Sequence, residues 1–406
     1  MNRLEELIQE LCPDGVEYKQ IKDIAWTGIG LATSVTKYKR DAGVVLLHNS
    51  DIKQNKIELK SVEFLDEVFV KKNSNKIHKY HDIITVHTGD VGTSAVIEEE
   101  FVGSIGFTTI ITRINDFDEV NPYYLSHYLN SYLFKSEVNK KSISDRNNLN
   151  QKDYEVISIP VPPMEVQREI VHILDYFTEL TAELTAELTA RKKQYEYYRD
   201  NLILSDNSVP RKTIDEIAID IYRGSGIKRD EVTETGIPCV RYGEIYTSYE
   251  ISFDKCISHT TEGVVKNPKF FEHGDIIFTI TGESVEEIAK SIVYLGDEKC
   301  MAGGDTVVLK HTIEPRYLSY ALSTSDARMQ KSAGKVKSKV VHSSVPAIKA
   351  ISIPVPAMKE QKRIADILDS FHYLVSDIST GLPAEIEARQ KQYEYYRDKL
   401  LSFEEL

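Results

Sequence analysis

Long apolar runs are missing from this sequence. No stretch approaches the roughly 20 consecutive apolar residues that a membrane-spanning helix needs. Cysteine is scarce: the four present (Cys12, Cys239, Cys256 and Cys300) are far apart and form no CxxC pair. That usage argues for reduced thiols in a cytoplasm over a disulfide framework or a zinc site. Histidines number eleven and are scattered; the closest pair, His78 and His81, lacks other ligands nearby and is expected at the surface. A basic excess is also absent. Fifty Lys and Arg against 63 Asp and Glu leave a net charge of −13, which by itself argues against a nucleic-acid partner. The opening MNRLEELIQEL reads as an acidic amphipathic helix and lacks the basic-then-apolar pattern of a signal peptide. At 406 residues, 41% hydrophobic and 28% charged, the chain suits a soluble globular protein of two or three domains.

What is present is repetition. KQYEYYRD stands at 193–200 and again, letter for letter, at 391–398. VEYKQIKDIA (16–25) matches VPRKTIDEIA (209–218), DIITVHTGD (82–90) matches DIIFTITGE (275–283), and NPYYLSHYLNS (121–131) matches EPRYLSYALST (314–324), each shifted by 193. ISIPVPPMEVQREIVHILDYF (157–177) matches ISIPVPAMKEQKRIADILDSF (351–371) with a shift of 194. The chain is a tandem duplication in which each copy is a globular unit followed by a long helix. GVVLLHN, HDIITVH and GFTTIITRI have the Val/Ile/Thr bias and turn-bounded lengths of strands. Pro122 and Pro315 fit first turns of helices, and the alternate prolines of ISIPVP close each unit as an extended stretch.

The helix after each unit has a seam with steps of three, four and seven, which is coiled-coil spacing. In copy one it runs through Ile170, Ile173, Phe177, Leu180, Leu184, Leu188, Tyr195, Tyr198 and Leu202. In copy two it runs through Ile364, Ile367, Phe371, Leu374, Ile378, Leu382, Ile386, Tyr393, Tyr396 and Leu400. Two such stripes in one duplicated chain are expected to pack antiparallel with pseudo-two-fold symmetry. Copy one fills the stretch between phenylalanine and lysine with TELTAELTAELTA, and copy two carries Gly381 and Pro383 there, where its helix should break and restart. Four residues lengthen a helix by about 6 Å and turn it by roughly 40°, so whole TAEL units would alter a spacing in steps.

LIQELCPDGVEYK, the paired IP-x-P…Q…I…ILD segments, the TAEL spacer and the twice-written RKKQYEYYRD or RQKQYEYYRD ending resemble, over almost the whole chain, the specificity (S) subunit of type I restriction-modification systems. The resemblance implies an α+β chain of two tandem, strand-rich target-recognition domains separated by two long antiparallel coiled-coil helices. The organisation expected is a short N-terminal helix (1–12), target-recognition domain 1 (13–162), a central spacer helix (163–205), target-recognition domain 2 (206–356) and a C-terminal helical region (357–406). Each domain would read one half of a bipartite site on double-stranded DNA. The resemblance also implies two modification (methyltransferase) subunits that bind S-adenosylmethionine and methylate adenine. Restriction subunits that use ATP and Mg would join them. No catalytic residue, cofactor or metal is implied in this chain.

Local charge answers part of the objection from the net charge. Residues 31–80 hold ten Lys/Arg and six Asp/Glu; RMQKSAGKVKSKVVH (328–342) holds five basic residues and no acidic one; KSEVNKKSISDRNNLNQK (135–152) holds five basic and two acidic. Lys140, Lys141, Arg146, Lys335, Lys337 and Lys339 are candidate phosphate contacts, with Asn147, Asn148 and His342 as base readers. Two TG turns, Thr88–Gly89 and Thr281–Gly282, offer backbone amides to a phosphate. Tyr195, Tyr198, Tyr393 and Tyr396 are expected to pack helix on helix and to form part of a partner-docking surface. The acidic remainder is expected on helices that face other subunits.

Three fragments mimic catalytic motifs. NPYY (121–124) approaches the Asn-Pro-Pro-Tyr loop of adenine methyltransferases but lacks the second proline, and its duplicate reads EPRY. TGIGLA (27–32) has only part of a GxGxxG loop. In PDGVEYK (13–19) two residues between Asp14 and Glu17 leave no room for the separate strands of a PD…ExK nuclease. The readings that stand against a DNA-specificity subunit are a self-contained methyltransferase or nuclease and a coiled-coil scaffold that never touches DNA.

Overall fold

Strands form where β-branched residues cluster and turns bound them. The computed structural model describes residues 2–141, 148–336, 340–376 and 381–406, and its contacts divide the chain into two units, Met1–Thr185 with Glu385–Leu406 and Ala186–Ala384. In the first unit Ala25–Ile29, Thr109–Ile114, Ile83–Val86 and Ser94–Val96 make an antiparallel sheet in that order. Every residue of Ile83–Val86 and Ser94–Val96 is buried, as in a sheet covered on both faces. A second sheet orders Ile105–Phe107, Val44–His48, Glu63–Leu65 and Lys39–Arg40, the first pair parallel. The proline-bearing strand Ser158–Val161 pairs only with Glu17–Gln20, so Pro160 leaves no ladder unsatisfied on a second side.

The second unit repeats this plan. Ala218–Arg223, Thr306–His311, Ile276–Thr279, Ser291–Tyr294 and Ser252–Phe253 form one sheet, and Ile237–Val240 lies parallel to Cys300–Ala302 in another. Ser352–Pro354 closes the unit against Arg211–Thr213. Buried carboxylates recur at matched places. Asp51 and Glu244 each accept the backbone N–H three residues earlier, at His48 (2.9 Å) and Arg241 (3.1 Å). Asp82 pairs with Arg113 at 2.6 Å, and Asp275 with Lys310 at 3.0 Å.

The motif mimics resolve as local structure. Asn121 accepts from the amides of Tyr123 and Tyr124 and caps the helix Pro122–Leu129, while Glu314 accepts from Tyr317 and caps Pro315–Ser323. NPYY and EPRY are helix starts. Gly15, at φ 117°, turns the chain where a Cβ would lie 2.6 Å from the Glu404 carbonyl oxygen, and the strand Glu17–Gln20 follows. In TGIGLA, Gly30 allows close backbone approach: a Cβ there would stand 2.5 Å from the Gly106 carbonyl oxygen, and Gly224 meets Gly303 in the same way.

One helix, Met164–Leu204, follows the first copy; Met358–Ser376 and Leu382–Leu400 follow the second, with Pro383 in the first turn of the latter. The duplicated octet docks on matched positions in both units. In the first, Tyr393 and Arg397 are buried, Asp398 accepts from the Tyr132 amide that opens the helix Tyr132–Lys141 (3.1 Å), and Tyr396 stacks on Phe177. In the second, Tyr195 and Arg199 are buried, Asp200 accepts from the Ser325 amide that opens Ser325–Ser332 (3.1 Å), and Tyr198 stacks on Phe371. Each octet thus packs on the globular part of the copy that it does not follow in sequence.

Three expectations need correction. Leu374 is 60% exposed and does not belong to a packed seam. The buried stripe of its helix is Ile364, Ala365 and Leu368, which face the globular core, and Leu374 stands roughly 240° around from Leu368. Leu174 in the first copy is likewise fully buried where the seam passed it over. Leu180, Leu184 and Leu188 are half-buried, and Ile378 lies outside the described residues. His78 is buried, not at the surface: its Nδ1 is 2.9 Å from the Ser104 hydroxyl, and burial lowers its pKa to about 3.

Candidate nucleic-acid interface

In each unit the residues that follow the basic stretch are stitched to the end of a central sheet strand. In the second unit Thr281–Gly282 pairs antiparallel with Val341–His342, and Ser343 donates its amide to the Ile280 carbonyl (2.8 Å). The Thr281 hydroxyl lies 3.3 Å from His342 Nδ1, and Lys335 Nζ donates to the His342 carbonyl at 2.7 Å. In the first unit Thr88 bridges Asn148, Leu149 donates its amide to the His87 carbonyl (3.0 Å), and Asn49 Nδ2 donates to the Thr88 carbonyl (2.6 Å). The same frame therefore serves both units.

A third segment joins the frame. The amides of His87 and Ile280 donate to the carbonyls of Thr108 and Asp305. Those two residues lie in the left-handed region, at φ 55° and 58°. Such a conformation costs roughly 1–3 kcal/mol for a residue with a side chain and is retained where the surroundings dictate it. In the second unit a cleft of about 430 Å³ opens here, lined among others by Arg223, Thr281, Asp305, His342 and Ser344. Arg223 and Asp305 stand 3.6 Å apart with both side chains largely in solvent, a pair that holds weakly and exchanges partners readily.

The sequence candidates separate on this frame. Thr281, Gly282, Lys335 and His342 come together in one unit, and Thr88 and Asn148, with Gly89 adjacent, in the other. Gly89 is a true turn at φ 101°. Gly282 is not: Thr281–Gly282 is a short strand, and a Cβ there would lie 2.6 Å from the Tyr246 hydroxyl, so that any side chain would have to displace the tyrosine ring. Lys140 is exposed on its helix and paired with Glu137 at 2.6 Å, apart from the frame. Lys141 closes that helix. Arg146, Asn147, Lys337 and Lys339 lie outside the described residues. One cation of the basic segment points inward: Lys331 is buried, donates to the Ser291 hydroxyl and the Leu322 carbonyl, and burial lowers its pKa to about 7. Arg223 and Asp305 escaped the sequence reading. Aligning Gly30 with Gly224 and Thr109 with Thr306 would have found them, since both pairs mark the same crossing of strands.

Comparison with known proteins decides the family. The type I restriction modification DNA specificity domain matches twice, over residues 13–191 and 212–388. The chain belongs to the specificity subunits of type I restriction-modification systems. It is 34% identical over 290 residues to the specificity subunit of the Escherichia coli type I restriction enzyme EcoR124I/EcoR124II, a match covering 69% of this chain and 70% of that one. It is 29% identical over 314 residues to a putative type I specificity subunit of Haemophilus influenzae, covering 74% and 77%. A solved chain described under complex assembly and conformational transition of the type I R-M system superposes with TM-score 0.65 at 15% identity, covering 96% of this specificity subunit and 98% of its own length; the likeness speaks for the fold. As a specificity subunit the chain directs DNA sequence choice and is non-catalytic. Among the described residues no group of three or more His, Cys, Asp and Glu is placed to hold a metal ion, and no helix is long and apolar enough to cross a membrane.

Proposed function

We propose that this specificity subunit reads a bipartite, non-palindromic site on double-stranded DNA, one half-site for each target-recognition domain (13–162 and 206–356). Two unlike reading ends in one chain match two unlike half-sites, whereas a symmetric dimer would call for a palindrome. The carrying observation is the paired frame: the same backbone stitching at Thr88–Asn148 and Thr281–His342, with different side chains on it. The TAEL-bearing helix and the C-terminal helical region are proposed to lie antiparallel with pseudo-two-fold symmetry and to set the unread gap. Exposed tyrosines on the helices, Tyr176 and Tyr395 on one unit and Tyr197 on the other, support docking of two modification subunits. S-adenosylmethionine would sit on those partners, which methylate adenine, and ATP and Mg on restriction subunits in the cytoplasm.

The test is methylation of genomic DNA by this chain alone and after reconstitution with its modification subunits. The expected result is no methylation alone and adenine methylation at one split motif in the complex. Activity of the isolated chain would overturn the reading in favour of a self-contained methyltransferase. Failure of the complex to protect any specific sequence would favour a scaffold.

A further inference from the structure

The two units share a frame and differ at what stands on it. The last residue of Ala25–Ile29 pairs Ile29 with Ile110, and the last residue of Ala218–Arg223 pairs Arg223 with Val307. Ile110 and Val307 each follow two residues after the left-handed Thr108 and Asp305. Thr88 and Thr281 in turn face Asn148 and His342. Four positions therefore correspond: Ile29, Thr88, Thr108 and Asn148 in the first unit, and Arg223, Thr281, Asp305 and His342 in the second.

None of these eight side chains is buried. Three of the four positions change chemistry between the units, from aliphatic to guanidinium, from hydroxyl to carboxylate, and from amide to imidazole. Buried groups beside the frame do not change in kind: Asp51, in the turn whose Asn49 bonds the Thr88 carbonyl, and Glu244, in the helix whose Tyr246 meets Gly282, are carboxylates that accept the amide three residues earlier. A buried support that stays the same beneath accessible side chains that differ suits the reading of two different base sequences. Within the set, Arg223 has the donor fork that matches the O6 and N7 acceptors of guanine in the major groove. Ile29 offers no donor at the matching place.

Resting on the DNA-reading function proposed above, we infer that these four positions are where base reading diverges between the two units. Arg223 reads a guanine in the half-site of the second unit, and its loose pairing with Asp305 leaves the guanidinium free to turn to DNA.

The experiment uses the full chain with its modification subunits and maps methylated adenines for the wild type, Arg223→Ala and Arg223→Lys. Discrimination at one guanine of one half-site should fall by about 5- to 150-fold in Arg223→Ala and by less in Arg223→Lys, whose ammonium still donates but lacks the planar fork, with the other half-site unchanged. Arg223 is exposed, so thermal unfolding of the variants should match the wild type. A uniform fall across all sites with no relaxed position, or an unchanged motif in Arg223→Ala, would each overturn the inference while leaving the functional reading intact. A wild type that methylates without sequence preference would overturn both.

Discussion

Tyr393 and Tyr195 hold the same place in the two copies of the octet, yet their hydroxyls meet different surroundings. That of Tyr393 is 3.2 Å from Asn55 Nδ2 and 3.2 Å from His127 Nδ1, while the buried hydroxyl of Tyr195 has no partner among the described residues. Tyr393→Phe should therefore cost about 0.5–1.5 kcal/mol. Tyr195→Phe should be neutral or stabilising, because it removes an unsatisfied buried polar group. Urea unfolding of the two variants, followed in the full chain, checks the contrast; equal losses would refute it. His78 makes a prediction in pH. Buried, it stays neutral down to about pH 3, held there first by desolvation and then by the charge of Arg113, whereas in the unfolded chain it takes up a proton near pH 6.5. Its folded pKa is depressed, so its contribution to stability is present above 6.5 and is lost as pH falls toward about 3. The slope is roughly 1.4 kcal/mol per pH unit. Replacing it in His78→Asn, which can keep the bond to Ser104, should flatten the loss of stability between pH 7 and pH 5 in urea titrations.

At the scale of elements, the two glycines where a strand end crosses a loop are the sharpest constraint. A methyl group at Gly30 would press on the Gly106 carbonyl oxygen at 2.5 Å and the Thr109 hydroxyl at 2.8 Å. The carbonyl is backbone and cannot rotate away. Gly30→Ala should cost about 1–3 kcal/mol and Gly224→Ala at least as much; thermal melts with no shift in midpoint would contradict this. The strands and helix starts were legible because Val/Ile/Thr runs and proline at a first turn act over a few residues. The helix seam was legible only in part. Phe177, Phe371, Tyr396 and Tyr198 do stack in pairs, but Leu374 is turned to solvent and Leu174 and Leu368 are buried. A spacing pattern names a face without saying what covers it, and here the globular core claims the leucines of the two ILD triplets.

For the whole molecule the duplication is the controlling fact. The chain from Met164 to Leu204 is one helix of 41 residues that carries the TAEL units. Inserting one further TAEL should lengthen it by about 6 Å, which against a rise of about 3.4 Å per base pair widens the gap between methylated half-sites by roughly one or two base pairs. Mapping methylated adenines with the lengthened chain reads this directly, and an unchanged gap would refute the proposal that the helices set it. The excess negative charge does not weaken the proposed DNA-facing role of the second unit, because its frame carries Arg223 and Lys335 and long-range repulsion is screened beyond roughly 8–10 Å at physiological salt.

Repetition, the strand-rich class, the helix starts and the family were all determined by the sequence alone, since each is written in residues a few places apart or in a constant shift between copies. Tertiary structure alone decided which octet docks on which globular part, and it alone drew Cys256 and Cys300 into one core cluster. It also placed Arg223 beside His342 across 119 residues of chain and took His78 out of water. Those outcomes depend on contacts between distant segments, where burial and backbone approach, and not local propensity, set the balance.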